Sequence, residues 1–435
     1  MKRRRFLKSV GAGVAATGLG GILAAHRAPV FAQASTVHIL RWNDFVPAAD
    51  KVLREVYVPE VQKALGIKLN VETINLNDMP ARATAAIQSG SGPDIFMLVN
   101  NNPHLFAAGG ADVSDVADEV GKAQGGIYDL GKAMCTVGGK WVAVPWSTVP
   151  GLIAYRKSWF EEIGLKEFPK TWAAYQEAGK KLKAAKRPVG QTLGHTFGDA
   201  PAFAYPLMWS FGGQELDAKG KVVLDSKETI ESARFMTQFW KDAHDEGGLA
   251  WDDSNNNRAF LSGDICASLN GASIYVAALN GADKFKTEKG AAMHTDILHA
   301  PLPAGPKGQY AYHTAFNHMV MKYSKNTKGA KEFLRWAHKK DNYEKWFVVQ
   351  KGFAVGPTRD WEKHAMWNND PVMLPFKAAT RQGRPMGFAG APDKRAAEAW
   401  NKYIIVDMYA QAASGKMKPE ESVKWAAGEL RKIYT

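Results

Sequence analysis

An α/β fold in two lobes follows from three observations on this sequence. Its 435 residues, less an N-terminal segment of about 34, exceed one ordinary domain and suit two. Strand-like and helix-like hydrophobic periods alternate along the chain, the pattern of layered α/β sheets. A Pro/Gly-rich stretch, Ala300-Pro-Leu-Pro-Ala-Gly-Pro-Lys-Gly308, reads as a crossing segment, with further strand and helix signals beyond it.

The chain opens with Met1-Lys-Arg-Arg-Arg-Phe-Leu-Lys8, a weakly apolar run from Val10 to Ala25, and Ala32-Gln33-Ala34. A basic start, an apolar stretch and small residues at a cleavage point make a secretory signal peptide. Residues 1–34 are therefore expected to be removed near Ala32–Ala34, leaving the protein in the periplasm. Arg3-Arg4-x-Phe6-Leu7-Lys8 resembles the twin-arginine signal, whose machinery carries folded proteins.

Thr36 to Trp42 reads as a strand, and Val52, Val56, Val61 and Leu65 mark a helix bent at Pro59 and closed by Gly66. Ile67, Leu69 and Val71 alternate as a second strand, and Pro80 to Gln88 is a short helix. Ile95-Phe-Met-Leu-Val99 is an unbroken apolar strand, as in sheets buried on both faces. A second set follows Pro145: the strand Leu152 to Tyr155, a helix capped by Thr171, a helix from Thr229 to Ala243, and the strand Ile265 to Asn270. Beyond the crossing segment lie the strand His318 to Met321 and the helix Thr327 to His338.

The formal charge of +13 suggests a nucleic-acid footprint until residues 1–34 are set aside. They hold six basic residues and no acid, so removing those six leaves +7. No nucleic-acid-binding module is recognisable, and none is expected as a partner. Two cysteines, Cys135 and Cys266, are compatible with one disulfide in an oxidising compartment, but sequence does not fix their separation.

Several fragments in order resemble the extracellular solute-binding proteins of ABC importers, in their carbohydrate-binding branch. They are Ser91-Gly-Pro-Asp-Ile95, Val144-Pro-Trp146 with Leu152-Ile-Ala-Tyr155, and Gly164-Leu-x-x-x-Pro169-x-Thr171-Trp172. Phe260-Leu-Ser-Gly263-Asp with Asn270-Gly271, and Ala300-Pro-Leu-Pro303 with Ser324-Lys-Asn-x-x-x-Ala330-x-x-Phe333, continue the series. Ala413-Ser-Gly415 with Pro419-Glu-Glu-Ser422 resembles the closing helix. Two departures are the missing residue before Pro93 and Arg156, where the family more often has Asn; the latter is expected to change a hinge contact. The resemblance implies a periplasmic-binding-protein fold of type II, with ligand between hinge-linked lobes. Lobe 1 is expected over 35–146 and 302–340, and lobe 2 over 147–301 and 341–435. The implied role is a monomer that captures a sugar or oligosaccharide and delivers it to the membrane permease subunits, with no cofactor.

Ligands in open α/β sheets collect beyond the carboxyl ends of strands. That rule selects Trp42, Asn43 and Asp44 after the first strand, Asn100 and Asn101 (with Asn102) after the third, and Asn270 and Ser273 after the second-lobe strand. Trp146 stands at the first crossover. A pyranose stacks its C–H face on a ring, and its hydroxyls pair with Asp and Asn. Asn100 to Asn102 serve equally well as turn residues, and Asp94 as a cap. Trp209 and Trp251 are cleft or core residues, whereas Trp172, Trp240 and Trp336 fall at core spacing. Arg384 offers a fork for hydroxyls or a carboxylate, which leaves an acidic ligand open.

Trp251-Asp-Asp-Ser-Asn-Asn-Asn257 lacks the Gly and Glu of a calcium loop, so it reads as a polar loop capping the next helix. No metalloprotease, hydrolase-elbow or phosphate-loop motif occurs in the mature chain, so no catalytic residue is assigned. A secreted carbohydrate-active enzyme is the rival class.

Overall fold

The computed structural model describes residues 35–435. The export segment and its cleavage point lie outside these residues. None of the described helices is long and apolar enough to cross a membrane.

The first lobe is built on a five-stranded sheet. Its strands are β1 (Ser35–Trp42), β2 (Ile67–Ile74), β3 (Ile95–Val99), β4 (Val144–Pro150) and β8 (His313–Val320), in the order β2-β1-β3-β8-β4. β1 runs parallel to β2 and β3, whereas β8 is antiparallel to β3 and β4. All five residues of β3 are buried, as its unbroken apolar run requires. The second lobe holds a smaller antiparallel sheet of β5 (Leu152–Arg156), β6 (Ala267–Asn270) and β7 (Ile297–Ala300), in the order β6-β5-β7.

β4 passes directly into β5 through Gly151, and β7 returns to β8 across residues 301–312. β4 belongs to the first sheet through Pro150, so the first crossover lies four residues later than the expected boundary at Trp146.

The assignment of all of 341–435 to the second lobe is also corrected. The helix Lys340–Val349 packs on Pro47–Lys51 and on Thr327–His338, and Val355 bridges to Thr148 of β4. Further on, Phe376 packs edge-on against His299 of β7, and Gly383 bridges back to Ala311. The helices Ile404–Ala413 and Pro419–Ile433 pack on Lys227–Ala243 in the second lobe. Residues 341–435 therefore weave between lobes, a path that local periodicity does not encode.

The helix at Pro59 is continuous: Pro47–Lys51 and Val58–Leu65 flank a π-helical turn, Val52–Tyr57. The proline stands two residues after that turn, inside the helix, and the π-helical turn sits where its ring and missing N–H disturb regular α-helical bonding. Trp172, Trp240 and Trp336 are buried. Arg156 ends β5 away from the hinge. There it pairs with Asp296 (2.8 Å) and Glu288 (2.9 Å) and lies 4.3 Å from the Trp159 ring, so it anchors the second lobe internally. Cys135 and Cys266 are both free and buried.

Candidate functional site: the interlobe cleft

Two adjoining cavities separate the sheets where β1, β6 and β8 present their cleft-facing residues. The inner one, about 30 Å³, lies between Trp42, Phe45, Phe316 and Phe353 on one side and Asp199, Asp253, Asn270 and Ser273 on the other. The outer one, about 150 Å³, shares Trp42, Phe45 and Asp253 and adds Asn43, Asn75, Asn77, Thr196 and Ser254.

The first-lobe wall is aromatic. Trp42 stacks on Phe316 with ring centroids 4.5 Å apart and lies nearly parallel to Phe353 at 6.3 Å. Phe45 meets Trp42 edge-on at 5.5 Å and stays 36% exposed, unusual for a large apolar side chain and suited to covering a ligand.

The second-lobe floor is a hydrogen-bonded network of acids and amides. Asp199 begins the helix Asp199–Phe211 and is 8% exposed. Its Oδ2 accepts from Asn256 Nδ2 (2.6 Å) and, at longer range, Asn270 Nδ2 (3.4 Å). Asp253 accepts the backbone N–H groups of Gly198 (3.0 Å) and Asp199 (2.8 Å) through its two oxygens. Only glycine permits that approach at 198, because a Cβ there would stand 2.5 Å from Asp253 Oδ2. Gly271 is similarly constrained: a Cβ would meet Val149 Cγ1 at 2.6 Å and the Phe353 ring at 3.0 Å, so the second lobe touches the first there.

A closed ring of bonds supports this floor. Asn270 Nδ2 donates to Asn257 Oδ1 (2.7 Å), Asn257 Nδ2 to Ser273 Oγ (3.0 Å), and Ser273 Oγ to Asn270 Oδ1 (2.8 Å). Asn270 and Ser273 therefore line the cavity as expected, but they spend these bonds on the protein. Asp199 Oδ1 accepts from no described protein group, and in the outer cavity Asn77 Oδ1 is likewise buried without a partner. Burial, followed by the neighbouring Asp253 charge, pushes the Asp199 carboxyl well above the ordinary carboxylate range. Burial likewise raises Asp253.

The remaining sequence-selected residues divide. Trp42 and Asn43 line the cleft. Asp44 does not: it caps the turn below, accepting from Val46 N (2.9 Å) and Gln350 Nε2 (2.9 Å). Trp146 is 1% exposed and packs among His318, His338, Tyr343 and Trp346, so it is first-lobe core. Asn100 holds a left-handed turn (φ 50°) and is tied to Tyr312, Ala315 and Asn317, while Asn101 is wholly buried. Trp251 is half-buried against Gly190 and Gly247, beside the cleft loop rather than in the cavities. Trp209 and Arg384 line a separate 260 Å³ cavity, where the guanidinium lies between the rings of Tyr310 (3.9 Å) and Phe388 (4.1 Å). A larger cavity of 510 Å³, around Glu119, Arg335 and Lys363, is lined by first-lobe residues alone.

Sequence reading passed over Asp199, Phe45, Phe316 and Phe353. Among the described residues, no cluster of three or more His, Cys, Asp or Glu is placed to hold a metal ion.

Residues 42–344 match the family described as bacterial extracellular solute-binding protein. The chain belongs to that family. As members of a binding rather than catalytic family, solute-binding proteins are exported. A probable ABC transporter-binding protein of Deinococcus radiodurans is 26% identical over 46% of this chain, and the match spans only 48% of that protein's length. An erythritol/L-threitol-binding protein of Mycolicibacterium smegmatis is 23% identical over 75% of this chain and 71% of its own. Among solved structures, maltose-bound MalE3 of T. maritima superposes with a TM-score of 0.78 at 21% identity, over 92% of this chain and all of that one. This solute-binding protein thus shares the two-lobed fold of sugar-binding relatives.

Proposed function

We propose that the protein is the periplasmic substrate-binding component of an ABC importer, capturing a small sugar or polyol between its lobes for delivery to the permease. The observation that carries this reading is the aromatic wall of Trp42 and Phe45 facing the oriented Asp199 carboxylate across one cavity. A C–H face packs on the rings while hydroxyls bond the Asp199 carboxyl, each such bond contributing about 0.5–1.5 kcal/mol net. The relatives named above bind ligands from a four-carbon polyol to maltose. The modest cleft volume supports the small end of that range. Removal of residues 1–34 near Ala32–Ala34 would release the protein for this role.

An acidic ligand is the weaker reading. No Arg, Lys or His lines either cleft cavity, and Arg384 belongs to the separate cavity beside Trp209.

A thermal-shift screen of polyols, monosaccharides, disaccharides and sugar acids tests the assignment. Ligand at 100 times its dissociation constant stabilises the native state by about 2.7 kcal/mol. A raised melting point with polyols or small sugars is expected; shifts with amino acids or peptides alone would overturn the reading.

A further inference from the structure

Charge in the cleft is one-sided. Asp199 and Asp253 lie side by side on the floor, and Asp252 stands at the rim. No cationic side chain among the described residues lines either cavity; Arg258, behind the rim, balances Asp252 but not the two buried carboxyls. The partners they do have are already engaged: Asp253 takes the two N–H groups at the start of the helix Asp199–Phe211, and Asp199 Oδ2 takes Asn256 and Asn270. Of the two buried carboxyls, Asp199 keeps one oxygen, Oδ1, without a described protein donor, on a residue more than nine-tenths buried and lining the cavity.

The Asn270–Asn257–Ser273 ring is closed on itself and offers no further donor from those bonds. Opposite stand Trp42, Phe45 and Phe353, whose ring faces attract cations as well as sugar C–H groups. With no facing cation, the buried Asp199 and Asp253 carboxyls tend to keep a proton before ligand enters the cleft, and a ligand that brings positive charge beneath the π-faces displaces it from Asp199.

We infer that the ligand is a hydroxyl-bearing molecule of monosaccharide size that carries an ammonium group, an amino sugar or amino polyol, with Asp199 as the residue that recognises the ammonium. This rests on the small sugar or polyol reading and adds the charge. An ammonium supplies up to three N–H donors, so one bonds Asp199 Oδ1 while the aromatic wall shields the others' side of the cavity from water. Once the ammonium has displaced the Asp199 proton, the helix N-terminus and the ligand together offset the carboxylate charge.

Calorimetric titration at pH 7 with matched ligands decides the matter: sorbitol, 1-amino-1-deoxysorbitol and gluconate as open chains, and glucose, glucosamine and glucuronate as rings. In at least one set the ammonium member is expected to bind at least tenfold tighter than the neutral one, with the carboxylate weakest. In Asp199→Asn that preference is expected to fall below threefold. Neutral members binding as tightly as ammonium members in both sets would overturn the inference while leaving the sugar or polyol reading intact. Preference retained in Asp199→Asn would overturn the role of that residue. If no member of either set bound, both readings would fall together. The wild-type comparison needs no variant, so it stands even if Asp199→Asn does not fold.

Discussion

Trp42 and Trp146 are both buried tryptophans of the first lobe, yet they serve different ends. Trp42 ends β1 with one face on Phe316 and lines the cavity. Trp146 is enclosed by two histidines, Tyr343 and Trp346, remote from the cavity lining. Truncating a packed tryptophan costs roughly 3–5 kcal/mol through lost burial and the cavity left behind. Trp146→Ala should therefore lower unfolding stability by that amount in urea denaturation, with ligand affinity changed less than threefold. Trp42→Ala should instead weaken binding at least tenfold in calorimetry. The reverse outcome would move the site. Sequence placed both residues in the cleft because each follows or lies in a strand near a crossover; chain position alone does not tell which face of a sheet a side chain takes. Asp199 was illegible for another reason. Its helix, Asp199–Phe211, contains Pro201 and Pro206 and is buried at all but its last position, so it shows neither amphipathic period nor uninterrupted helix formers.

At the scale of elements, the end of that same helix meets the segment 383–390. Glu215, fully buried just beyond the helix, accepts from the Gly387 backbone N–H through Oε2 (3.0 Å), and its Oε1 has no partner. Burial pushes this carboxyl up to about 8 from its ordinary 4.5. The native state therefore holds a proton that the unfolded chain releases above about pH 4.5. Stability from this group is complete below that value and is lost as pH rises toward 8, at up to about 1.4 kcal/mol per unit. Glu215→Gln removes the titration. Guanidinium unfolding at pH 5 and pH 8 should show the variant gaining on the parent by a few kcal/mol across that interval; parallel pH profiles would contradict the assignment. The elements legible in sequence were those with clean periods: β1, β2, β3, and the helices capped by Thr171 and by Ser226, whose side chains accept from N–H groups three residues on. The helix Ser273–Asn280, nearly all apolar and without a side-chain cap, lacked such signals.

Across the whole molecule, the two-lobed α/β plan was readable from alternating periods and from the Pro/Gly-rich crossing at Ala300–Gly308. The traffic of residues 341–435 was not, since it depends on contacts between residues far apart in sequence: Val355 with Thr148, Phe376 with His299, Asn401 with Asn102. These crossings join the lobes around a cleft that each lobe lines only in part. Aromatic rings come from the first lobe and its returning segment, and carboxylates from the second. Neither half alone offers both the aromatic face and the carboxyl groups, so a ligand touching both favours the closed form through differential affinity.

The most direct test of this account is the crystal structure of the mature protein with the ligand that most raises its melting point. The account predicts that ligand between the lobes, one face on Trp42 and a donor within 3.2 Å of Asp199 Oδ1, a distance set by ordinary hydrogen-bond geometry. Ligand in the cavity of Trp209, Tyr310 and Arg384, with the Trp42–Asp199 cleft unchanged, would contradict it.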